Sequence, residues 1–92
     1  MAAYPEEMVL RVRAATPAKD LAAAISHGIY DGRRLVLRAI GAGAVCQAVK
    51  AVAIAGSLVA ARGLTISCRP GFQDVEMPDG ITTAITIRVF AD

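Results

Sequence analysis

Apolar and polar residues alternate along four short stretches of the chain. In the first, Met8 to Arg13, the side chains of Leu10 and Val12 face one way, and those of Arg11 and Arg13 face the other. A two-residue period is typical of a strand with one face in a core. The same period predicts further strands over residues 33–40, 64–69 and 81–90.

Proline and glycine mark the ends of these strands. Because proline is not tolerated inside a sheet, Pro70–Gly71 is predicted to break or bulge the third strand. That strand is expected to continue from Phe72 to Met77 and to turn back at Pro78–Gly80.

A helix is predicted between the first two strands, because apolar residues recur there at helical spacing from Leu21 to Ile29. Thr16 is the expected N-cap and Pro17 the first-turn proline. Asp31–Gly32 ends the helix.

A second, longer helix is predicted from about Ala44 to Ala61, after a turn at Gly41–Gly43. The resulting order, βαβαββ, predicts an α/β protein of the two-layer α+β kind. Two helices cover one face of a four-stranded mixed sheet, in a single domain over residues 1–92.

The long helix is apolar on nearly every side, which is typical of a helix buried on most faces. Composition agrees, since 55% of the residues are hydrophobic and mean hydropathy is +0.51. A chain of this size cannot hide that much apolar surface alone, so we predict a homodimer formed through this helix. Its interface is predicted to include Val45, Val49 and Val52.

Residues 40–61 are long enough to cross a membrane, but Lys50 lies in the middle, where insertion costs about 2.5–3.5 kcal/mol. The acidic N-terminus lacks the basic region of a signal peptide. We therefore expect a cytoplasmic protein without membrane contact. Cys46 and Cys68 lack the spacing of metal ligands and are predicted to be small core residues.

Arginine is concentrated on one face of the predicted sheet. The net charge is only +2, but eight of the ten cations are arginine, which suits bidentate phosphate contact. No acid within the predicted strands neutralises this face, and no aromatic residue is expected there to stack on a base. A solvated outer face and a polyanion-binding face are both open interpretations. The arginines are Arg11, Arg13, Arg34, Arg38, Arg69 and Arg88.

The sequence contains only weak candidates for a catalytic or nucleotide-binding site. The turn at Gly41–Gly43 could bind a phosphate at the helix N-terminus, but it lacks a complete nucleotide-binding fingerprint, and a tight packing turn is the favoured interpretation. His27 is interpreted as an exposed residue. The acids Asp74, Glu76 and Asp79 are interpreted as a solvated turn with too few ligands for a metal. We expect no enzymatic activity, cofactor, metal or small-molecule substrate.

The run AIGAGAVCQAVKAVAIA at residues 39–55 closely resembles the signature of the stage V sporulation protein S (SpoVS) family. CRPGFQD at residues 68–74 and TAI at residues 83–85 continue the match in register. The family is small, single-domain and similar to the archaeal chromatin protein Alba. The resemblance therefore implies an Alba-like fold, a homodimer, and binding of DNA or RNA in regulation of bacterial sporulation or development.

Two surfaces compete for the phosphates. The resemblance points to the helix N-terminal end, with Lys19, Gly41, Gly43, Gln47 and Lys50; strand alternation points to the arginine face. We favour the helix end for specific contact and the arginine face as an electrostatic contributor. The alternatives are a protein-interaction module that has lost nucleic-acid binding and, third, a small nucleotide-binding enzyme that uses the glycine turn.

Overall fold

The computed structural model describes residues 7–92, so the N-terminal segment judged above for a signal peptide lies outside the described residues. The elements follow the predicted order: β1 (Glu7–Val12), α1 (Ala18–Tyr30), β2 (Arg34–Ala39), α2 (Ala42–Ala60), β3 (Ile66–Met77) and β4 (Gly80–Ala91). The four strands form one sheet in the order β1-β2-β4-β3. β1 and β2 are parallel and the other pairs are antiparallel, which confirms the mixed sheet.

The core lies between the helices and one face of the sheet. Leu35 and Leu37 of β2 are paired with Val89 and Ile87 of β4, and all four side chains are buried. The helices approach this face closely because their inward residues are small. The fully buried alanines of the helices are Ala22, Ala48, Ala51 and Ala55.

Because the helices approach the sheet closely, substitutions at two neighbouring positions of α1 should differ in their effect on stability. Ala22 is fully buried, whereas Ala23 is exposed. Ala22→Leu should lower the free energy of unfolding by about 1–3 kcal/mol, because extra methylenes in a packed core force backbone and side-chain shifts. The matched control, Ala23→Leu, should change it by less than about 0.5 kcal/mol. Urea unfolding checks both, and equal stability of the two variants would contradict the packing described here.

The predicted break in β3 is wrong. Pro70 and Gly71 pair with Ile87 and Thr86 inside an uninterrupted ladder with β4. β3 is an edge strand, where one side of the backbone is not needed for pairing and proline is tolerated. Gly71 fits because a Cβ atom there would lie 3.2 Å from Oγ1 of Thr86.

Two smaller predictions are also wrong. The N-cap of α1 is Pro17, and Oγ1 of Thr16 instead accepts a hydrogen bond from the backbone N–H of Arg13 at 2.8 Å. Cys46 and Cys68 are exposed, not buried. Cys46 lies on the outer side of α2, and Cys68 lies in an exposed part of the edge strand β3.

Candidate nucleic-acid interface

The parallel pairing of β1 and β2 brings the starts of both helices to one end of the sheet. Each of these strands runs directly into a helix that returns across the same face. Lys19 is in the first turn of α1, and Gly41–Gly43 lie at the start of α2; all of these residues are exposed. The two helix starts, which are far apart in sequence, therefore lie at the same end of the molecule.

Direct contacts hold the two helix starts together. Nε2 of Gln47 donates a hydrogen bond of 2.8 Å to the backbone carbonyl of Thr16. A Cβ atom at Gly43 would lie only 2.9 Å from Cβ of Ala14, so this position needs glycine for the close approach. Gly41 has a φ of 93°, which also favours glycine. The glycine turn thus has a structural reason, and the side-chain amide of Gln47 positions the loop.

Backbone N–H groups at the start of α2 are available to an anion. A hydrogen bond from Val45 N–H to the Gly41 carbonyl begins the helix, so the amides of residues 42–44 have no acceptor within it. Lys50 lies three residues after Gln47, on the same side of α2, and its side chain is exposed. The amides and the helix dipole are together typical of a phosphate-binding helix end, and Lys50 lies about two turns further along the helix.

Strand register confirms that the arginines within the strands share the face of the sheet opposite the helices, here called the open face. Arg11 pairs with Arg38, and Arg69 pairs with Arg88. The register also divides the open face. Arg11 and Arg38 lie near the carboxyl ends of β1 and β2, where the helices start, whereas Arg69 and Arg88 lie nearer the other end.

The arginines at this end of the open face line a cleft that lies beside the start of α2. Arg11, Arg13 and Arg38 line a cleft of about 330 Å³ together with Val75 and Met77 from the β3–β4 hairpin. We call this end of the molecule the helix-start surface, defined by residues Arg11, Arg13, Lys19, Arg38, Gly41, Gly43, Gln47 and Lys50. The cleft includes Ala14, which approaches Gly43, and Ile40, which precedes Gly41, so it adjoins the start of α2.

The prediction that no strand acid neutralises the open face is wrong. Oε2 of Glu7 lies 3.5 Å from Nη2 of Arg88, and the Glu7 side chain is only 5% exposed. The acid was missed because β1 begins at Glu7, one residue before the predicted start. Alternation along β1 then places Glu7 on the same face as Arg11.

The prediction that the open face has no aromatic residue is also wrong. Phe90 lies on it, two residues beyond Arg88, and the Arg69 guanidinium carbon is 5.4 Å from the centre of its ring. The same alternation that placed Arg88 on this face would have found Phe90. Phe90 was the last residue of the predicted strand, so the sequence alone was sufficient to place it on this face.

One side of α2 carries apolar residues that the single chain does not cover. Val45, Val49, Val52 and Gly56 recur at spacings of four, three and four residues, which puts them on one side of the helix. We call this side the α2 valine face. Val49 is 55% exposed and the other three are half-buried. This exposed side is the one that the predicted second subunit would cover, so its burial stays a prediction.

α2 also has the length and composition of a membrane span. Its apolar window has a mean hydropathy of 1.6, and 28% of that window is buried. The buried residues, from Ala44 to Val59, form one continuous stripe in the core. α2 is thus a core helix of this fold with an apolar outer side.

The hairpin acids remain at the surface. Asp74, Glu76 and Asp79 are exposed, and Oγ1 of Thr83 donates a hydrogen bond of 3.1 Å to Oδ1 of Asp74. Within residues 7–92, no group of three or more His, Cys, Asp and Glu residues is arranged to hold a metal ion.

Comparison with protein-family models matches residues 8–92 to stage V sporulation protein S (SpoVS). The chain belongs to the SpoVS family. Among solved structures, this SpoVS-family fold is similar to Alba from Thermoplasma volcanium, with a TM-score of 0.60 and 13% identity over 92% of this chain and 99% of that chain. At this identity the likeness shows the fold alone, and it confirms the Alba-like architecture. The SpoVS match includes every residue of the helix-start surface.

Proposed function

We propose that this SpoVS-family protein is a dimeric, non-enzymatic, cytoplasmic regulator of bacterial sporulation or development that binds nucleic acid through its helix-start surface. The observation that carries the proposal is the convergence of cationic side chains and unpaired helix amides from β1, α1, β2 and α2 at one end of the sheet. Such a combination matches the phosphate backbone of a nucleic acid.

Charge at this surface favours a polyanion. Three arginines and two lysines contribute five positive charges, and Asp20, in the first turn of α1, contributes one negative charge. The hairpin presents Val75 and Met77 to the cleft beside Arg11 and Arg38. Alternation along β3 directs the intervening acid, Glu76, to the opposite face of the hairpin. The acidic hairpin is therefore compatible with an anionic ligand at the cleft.

A dimer would present two copies of this surface. The α2 valine face supports self-association because it combines exposed Val49 with small neighbours that permit close helix approach. Two helix-start surfaces in one rigid particle would contact phosphates at two places along a strand or duplex, which raises the effective affinity. Dimerisation is thus part of the proposed binding mechanism.

The alternative, a protein-interaction module, has its own supporting observation. Phe72 and Ile81 on the β3–β4 hairpin are 80% and 71% exposed; Ile81 pairs with Glu76, and Phe72 lies two residues before Asp74 on the same strand. Exposed apolar side chains rimmed by charge are typical of protein-binding sites. The alternative is retained for that reason.

An anisotropy titration separates the two functions. We expect labelled duplex DNA, single-stranded DNA or RNA to bind with a dissociation constant of roughly 10⁻⁶–10⁻⁴ M at physiological salt, and more tightly at low salt. Affinity that falls as salt rises would support phosphate contact. Absence of binding to all three probes at low salt would reject the proposal and leave the interaction module.

A further inference from the structure

A second cleft lies at the other end of the sheet from the helix starts. It has a volume of about 540 Å³, within the usual range for small-molecule sites. We call it the arginine cleft. Its polar and aromatic lining is Glu7, Arg33, Arg34, Arg69, Arg88 and Phe90.

The two central arginines of this cleft lean away from the helix-start surface. Arg88 reaches Glu7, and Arg69 lies over the ring of Phe90. The register places Glu7 and Phe90 one row further from the helix starts than the Arg69–Arg88 pair. The guanidinium groups therefore converge on the arginine cleft, separately from Arg11 and Arg38.

The cleft carries more positive charge than its acid neutralises. Arg34 has an interaction of its own, and the other three arginines, Arg33, Arg69 and Arg88, face one acid, Glu7, which leaves a formal charge of +2. Arg69 and Arg88 are direct cross-strand partners, an arrangement in which like charges destabilise a sheet. Within residues 7–92, no carboxylate pairs with Arg69, which lies over the ring of Phe90 instead. An anionic ligand would relieve this repulsion.

Ligand chemistry follows from the rest of the lining. Arginine suits phosphate because its planar fork donates two parallel hydrogen bonds, and Arg88 retains donors after pairing with Glu7. A diphosphate group carries about three negative charges at neutral pH, which is opposite in sign to the net charge of the cleft. Phe90 is 41% exposed, and the guanidinium carbon of Arg69 lies 5.4 Å from the centre of its ring, so the cleft offers a partly exposed ring and a neighbouring guanidinium. Such a surface is suited to a planar base.

We propose that the arginine cleft binds a nucleoside diphosphate or triphosphate, with the phosphates on the arginines and the base stacked against Phe90 and Arg69. This site is separate from the helix-start surface and does not depend on the proposed nucleic-acid binding.

Calorimetric titration of the full chain with ADP, adenosine and inorganic pyrophosphate tests the site. We expect ADP to bind, and the other two probes to bind at least about tenfold more weakly. Adenosine lacks the phosphates that the arginines would bind, and pyrophosphate lacks the base that would stack on Phe90. Arg69→Ala should weaken ADP binding by about 10- to 100-fold. That variant also removes the like-charge cross-strand pair, so it should fold.

The matched control is Arg62→Ala. Arg62 also lies over an aromatic ring, 4.1 Å from the centre of Tyr30, but it does not line the arginine cleft. ADP affinity should be unchanged in this variant. No ADP binding, equal affinity for pyrophosphate, or equal loss in Arg62→Ala would each overturn the proposal. A single-stranded oligonucleotide that binds more tightly than ADP and depends on Arg69 would also overturn it, in favour of nucleic acid. Failure of the nucleic-acid titration alone would leave the nucleotide site standing.

Discussion

Val49→Asp should abolish the dimer and give monomeric or insoluble protein. Val49 is 55% exposed in the single chain and lies in the middle of the α2 valine face. If that face packs against a second copy, the substitution places an unpaired carboxylate in a dry contact, which costs several kcal/mol. A loss of this size raises the dimer dissociation constant by more than about a hundredfold.

Sedimentation velocity at micromolar concentration measures the outcome. The matched control is Ser57→Asp, which adds the same charge to an exposed position of the same helix, on the side that carries Lys50. This control should remain dimeric. Val52→Asp, on the valine face, should behave like Val49→Asp. A wild-type protein that sediments as a monomer would reject the dimer, and with it the two-surface binding mechanism.

The sharing of a face by the arginines was predictable from sequence, because side chains in a strand alternate strictly between two faces. Only local spacing is needed to place Arg11 with Arg13, or Arg34 with Arg38. The division of these residues between two ends of the sheet was not predictable in the same way. It depends on the strand order β1-β2-β4-β3 and on the pairing register, both of which are set by contacts distant in sequence.

The burial of a strand residue was harder to predict than the face of the sheet on which it lies. Cys68 lies on the helix side of the sheet, as its apolar position indicated, but β3 is an edge strand and the side chain of Cys68 stays exposed there. The same edge position explains why Pro70 does not interrupt β3. In both cases the local rule was sound, and the position of the strand in the sheet decided the result.

Lys19→Ala and Lys50→Ala should each reduce the salt dependence of nucleic-acid binding. Each phosphate contact contributes about 0.9 to the slope of log affinity against log salt, because neutralising a phosphate releases counterions. In a dimer each substitution removes two contacts, so the slope should fall by about 2 for one lysine and about 4 for the double variant. Affinity at low salt should fall with it.

The two ends of the open face can be separated in the same experiment. The pair Arg11→Ala with Arg38→Ala should also lower the slope, because these residues lie on the helix-start surface. Arg69→Ala should leave it unchanged, because the Arg69 side chain leans toward Phe90 in the arginine cleft. If only the arginine pair changes the slope, phosphates contact the sheet rather than the helix starts. If Arg69→Ala lowers the slope as much as Lys19→Ala, the nucleic acid extends across the whole open face, and the functional division between its two ends is wrong.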